Sequence, residues 1–88
     1  MDYLELIDKI INTLEYGGYY DLSAAVTKIE MAASLGGELI LSVSCKLLEI
    51  KETHPEAFSK IAEDVNKLIN YANTIGLYPG WKKNQPAD

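Results

Sequence analysis

No arginine occurs in the 88-residue chain, and its eight cationic side chains are all lysine. Without the planar guanidinium fork, bidentate contact with phosphate or guanine is lost, and a net charge of −5 repels polyanions, so a nucleic-acid partner is not expected. One cysteine and one histidine exclude a disulfide framework and an ordinary zinc site, which needs three or four such ligands. No apolar run approaches the roughly 18 residues of a membrane span, and the acidic, amphipathic start Met1-Asp2-Tyr3-Leu4-Glu5 does not read as a signal peptide. A cytoplasmic, reducing setting without a membrane partner is the expectation. Alternating β-branched runs are missing too, which leaves no strand signal.

What is present is helical period. From Asp2 to Tyr16, Leu4, Ile7, Ile11 and Leu14 recur at helical spacing, widened by Tyr3, Leu6 and Ile10, while Asp2, Glu5, Lys9, Asn12 and Tyr16 fall opposite. Gly17-Gly18 ends this segment, and Asp21 is the expected N-cap of the next. The second segment, Asp21 to Leu35, sets Leu22, Ala25, Val26, Ile29, Ala32 and Ala33 on one side. Such small inward residues predict close approach and a central position among the helices. Gly36-Gly37 reads as a tight turn before a third helix, Glu38 to Glu52, which buries Leu39, Ile40, Val43, Leu47 and Ile50. Thr53-His54-Pro55-Glu56 resembles a capping box, with Pro55 in the first turn of a fourth helix, Pro55 to Ile75.

Short connections favour an all-α fold, either a four-helix antiparallel bundle or two stacked helical hairpins. One domain, 1–81, is expected, followed by a polar tail, 82–88. Leu14, Ile29, Val43, Leu47, Ile61, Val65, Leu68 and Ala72 should be core, and Trp81 should pack with Tyr78 at a helix end.

Chemistry is sparse. His54 lies beside Pro55 without a recognisable nucleophile motif, and Cys45 has no thiolate-stabilising neighbour beyond Lys46. Carboxylate pairs such as Glu5 and Asp8 lack the histidines of a di-iron bundle, and neither glycine pair is followed by the Gly-Lys-Ser/Thr of a phosphate loop. No catalytic residue, metal or cofactor is therefore expected. Two surfaces stand out instead. Tyr16, Tyr19, Tyr20 and Asp21 crowd the first turn, where tyrosine offers large contact area with a polar tip. Glu38, Ser42, Cys45, Glu49 and Glu52 follow one another at spacings of 4, 3, 4 and 3, hence on one outward face of the third helix. The acidity is concentrated as well: residues 1–56 carry a net of −6, residues 57–88 a net of +1. A basic partner would be steered toward the first three helices.

Small size, acidity and an all-helical plan together resemble the helical immunity proteins of bacterial toxin systems, of the contact-dependent growth inhibition or polymorphic-toxin type. The ending Gly76-Leu77-Tyr78-Pro79-Gly80-Trp81-Lys82-Lys83 is similar to the aromatic, Pro-Gly ending of the four-helix colicin DNase immunity proteins. Their central Asp followed by a Tyr-Tyr-Pro turn is absent, and Tyr19-Tyr20-Asp21 has another order and place. The resemblance implies a non-catalytic antitoxin that masks the active site or substrate groove of a basic, nuclease-type toxin domain. The other reading is a homodimeric or adaptor bundle that recognises a partner helix.

Overall fold

The Asp2 carboxylate accepts a hydrogen bond from the Leu4 amide at 3.3 Å and so starts the first helix. The computed structural model describes residues 2–33 and 36–77, and within them four helices: α1 (Tyr3–Tyr16), α2 (Tyr20–Ala32), α3 (Gly37–Thr53) and α4 (Pro55–Thr74). On α1 the buried axis runs through Leu6, Ile7, Ile10 and Leu14, with Leu4 and Ile11 half-buried at its edges. The helix ends in a Schellman motif, in which the Tyr19 amide donates to the Leu14 carbonyl at 2.9 Å and the Gly18 amide to the Glu15 carbonyl at 3.0 Å. Gly18 stands at φ 89°, a conformation that glycine adopts without penalty, and the motif folds Tyr19 back onto the core.

Each helix packs on its sequence neighbours, and α4 closes on α1. The four helices thus enclose one shared interior as an all-α bundle. Its interior is aliphatic: Ile7, Ile10, Leu14, Val26, Val43, Leu47, Ile61, Val65 and Leu68 are fully buried. Among the described residues no helix is long and apolar enough to cross a membrane.

Several expectations need correction. The second helix is not central. It buries only Leu22, Ser23 and Val26, and its contacts with α1 and α3 are thinner than those that α4 makes. Its alanines are too small to fill the interior: Ala25 and Ala33 are half-buried and Ala32 is exposed, while Ile29 packs on the core only in part. Asp21 is not the N-cap; Tyr19 is, and Asp21 lies in the first turn, where its charge still favours the helix dipole. The capping box does not form either, because α3 continues through Thr53, whose hydroxyl donates back to the Glu49 carbonyl at 3.0 Å. His54 then caps both helices without a side-chain bond to α4. α2 ends at Ala32, with Ala33 extended at φ −82° and ψ 153°, three residues short of the expected Leu35, and the packing of Tyr78 and Trp81 lies outside the described residues.

One end of the bundle is tied by polar contacts. The Tyr3 hydroxyl accepts from the Gly36 amide at 3.2 Å, and the Tyr3 ring stacks on Tyr71 with centroids 5.8 Å apart. Midway along the α1–α4 seam, Lys9 reaches Asp64 at 3.4 Å. Asp64 is 7% exposed, so this cation offsets the cost of holding a carboxylate among apolar side chains.

Candidate functional site

Tight closure of the first turn decides where its tyrosines point. Tyr16 ends α1 on the face opposite the core and is 96% exposed, whereas Tyr20 opens α2 and is 67% exposed. Tyr19, between them, is spent on the core. Of the three tyrosines read from the sequence, two are therefore presented outward and one is structural.

These two join a continuous shoulder formed by α1 and α2. A shallow groove of about 580 Å³ is lined by Glu15, Tyr20, Ser23, Ala24, Thr27, Lys28, Met31 and Ala32. A second, of about 510 Å³, links it to α1 through Asn12, Glu15, Tyr16 and Tyr20. A third, of about 520 Å³, continues along α1 past Tyr16, Thr13, Asn12, Lys9, Asp8 and Glu5. Met31, at the far end of α2, is 82% exposed.

Electrostatics add to this shape. The pKa of Glu30 on α2 is raised above the ordinary value of 4.5, first by burial and then by the neighbouring Asp8 carboxyl on α1. The two carboxyls thus repel where the helices meet, beside the groove that Asp8 lines. A cation brought to this place would relieve that repulsion.

The face of α3 behaves differently. Glu38, Cys45, Glu49 and Glu52 are exposed and Ser42 is half-buried, so the five do share the outer side of their helix. Glu49 is engaged with Lys46 at 3.4 Å, which shields part of the acidity. None of the three grooves is lined by an α3 residue. The structure brings Tyr16 and Tyr20 together with Glu15, and among the described residues these three grooves do not reach the α3 stripe. Asp21 is exposed next to Tyr20 in the first turn of α2.

Sequence reasoning missed Ala24, Thr27 and Met31. Their signal was available: with Tyr20 they follow spacings of 4, 3 and 4, a second stripe on α2 directed away from the first. Among the described residues no group of three or more His, Cys, Asp or Glu side chains could hold a metal ion. Comparison of the chain with protein-family models, with curated proteins and with solved structures finds no match.

Proposed function

We propose that this protein is a non-catalytic, cytoplasmic binding module of the immunity type, which neutralises a basic, nuclease-type toxin domain by covering its active site or substrate groove. The observation that carries the reading is the exposure of Tyr16 and Tyr20 beside Glu15 and Asp21. Tyrosine is enriched where binding energy concentrates, and a full aromatic side chain left in water at a rigid turn is ready to be desolvated by a partner. The surrounding carboxylates supply long-range attraction to a basic surface and reject nucleic acid, the toxin's own substrate.

The test is coexpression with a candidate partner: the basic C-terminal domain of a large secreted protein encoded immediately upstream. Rescue of growth, and a complex whose association rate falls steeply between low and physiological salt, are the expected results. Tyr20→Ala should accelerate dissociation and cost about 2 kcal/mol of binding in folded protein. A second reading, a homodimeric or adaptor bundle that takes a partner helix, is favoured by exposed Met31 and the small residues before it. It predicts an affinity nearly indifferent to salt.

A further inference from the structure

Resting on the proposed basic partner, we infer that the docking surface is the α1–α2 shoulder and that its occupant is a lysine- or arginine-rich amphipathic helix of that partner, laid along α2. The outward stripe Tyr20, Ala24, Thr27 and Met31 has the alternating 4 and 3 spacing of a helix-pairing seam. Its large side chains stand at the ends and its small ones in the middle. A partner helix can therefore approach closely at Ala24 and Thr27 while Tyr20 and Met31 close around its apolar residues. The stripe spans about 16 Å, three turns of a docked helix. Because α2 buries so little of itself in the bundle, its outer side is free to serve a second helix.

Charge decides between occupants. The α1 flank of the seam carries Glu15, with Asp8 and Glu30 further along, and the other flank carries Asp21 and Lys28. Four carboxylates against Lys28, with Lys9 of the same α1 groove already held by Asp64, ask for cations on the incoming helix, mostly along its α1 side. A second copy of this chain fits worse. Antiparallel two-fold packing of α2 on α2 would place both α1 helices on the same side of the seam, bringing two sets of Asp8 and Glu15 toward one another.

The experiment uses a synthetic 14-residue helix with leucine and alanine on one seam and lysine on both flanks, and a control with glutamate for every lysine. Titrated into isotope-labelled protein, the lysine helix should shift the amides of Tyr16 and of Tyr20–Ala32. Raising the salt concentration should weaken it. Ala24→Gln, at an exposed helical position and verified as folded by circular dichroism, should weaken it at least tenfold by obstructing the seam; Lys28→Glu should strengthen it several-fold. Shifts centred on Glu38–Glu52, equal binding of the glutamate helix, an unaffected Ala24→Gln protein, or a dimer in sedimentation that covers these same residues would each overturn the proposal. A toxin domain that binds wild type and Ala24→Gln equally would remove this surface and leave the inhibitor reading intact. Binding of the lysine helix as described, with no toxin domain bound, would do the reverse.

Discussion

Adjacent glycines at the start of α3 should respond to the same substitution with opposite signs. Gly36 stands at φ 83° and ψ −137°, a region that residues with a Cβ essentially do not enter, and its amide is held by the Tyr3 hydroxyl at 3.2 Å. Gly37 is the first residue of α3, and a Cβ there would meet only Leu77 Cδ1, at 3.5 Å, an ordinary contact. Around Gly36 there is open space, so the cost of Gly36→Ala is purely conformational, about 2 kcal/mol within the 1–3 kcal/mol range for such strain. Gly37→Ala restricts the unfolded chain without straining the folded one and should stabilise by about 0.4–1 kcal/mol. For a domain of this size, 1 kcal/mol moves the melting temperature by about 4–8 °C. Thermal unfolding followed at 222 nm should therefore show Gly36→Ala lower by roughly 10 °C and Gly37→Ala higher by a few degrees. Equal shifts of one sign would refute this account of the turn.

Lys9→Met should destabilise the fold by about 1–2 kcal/mol in urea titration, because it strands the Asp64 carboxylate among apolar neighbours, and the double variant Lys9→Met/Asp64→Leu should recover most of the loss. Glu30 binds its proton more tightly in the folded state than in the unfolded one, so it costs stability as pH rises through and above its ordinary value of 4.5. Glu30→Gln should accordingly melt higher than wild type at pH 7, with the difference vanishing as pH falls below the ordinary value of 4.5, where Glu30 is protonated in both the folded and the unfolded state; a constant difference across pH would refute the raised Glu30 pKa. Val65 is fully buried on α4, so Val65→Asp should abolish cooperative unfolding, since an unpaired buried carboxylate can consume most of the 5–15 kcal/mol that stabilises a small domain. Unchanged melting of a folded, monomeric Val65→Asp protein would contradict that burial.

The helices were legible because their signals are local. Glycines at 17–18, 36–37 and 76, together with Pro55, bound four runs of helical period, and the apolar residues of α1, α3 and α4 name their own buried faces. The order of burial among helices is not local. Small inward residues on α2 are compatible with a central helix held by close approach and with a peripheral one that has little to bury; only the volume supplied by Ile7, Ile10, Val43, Leu47, Ile61 and Leu68 on the other three decides for the second. The capping box failed for a similar reason. Thr53 can cap α4 only if α3 has already ended, and α3 has not.

The candidate site shows the same division between what a wheel can and cannot say. Tyr16 was assigned outward correctly because α1 has one sharply apolar face, and residue 16 lies opposite it. Tyr19 could not be separated from Tyr20, since their fates depend on a turn in which Gly18 at φ 89° swings one ring inward and leaves the other to begin a helix. On α2 the small inward residues point to a helix surrounded by others. An exposed stripe that still carries Tyr20, Ala24 and Met31 has a different physical meaning: the helix divides its apolar residues between the interior it helps to close and a partner yet to arrive. If that is so, stability and binding should separate along α2, with Leu22 and Val26 governing melting and Ala24 and Met31 governing only what the outer face can hold.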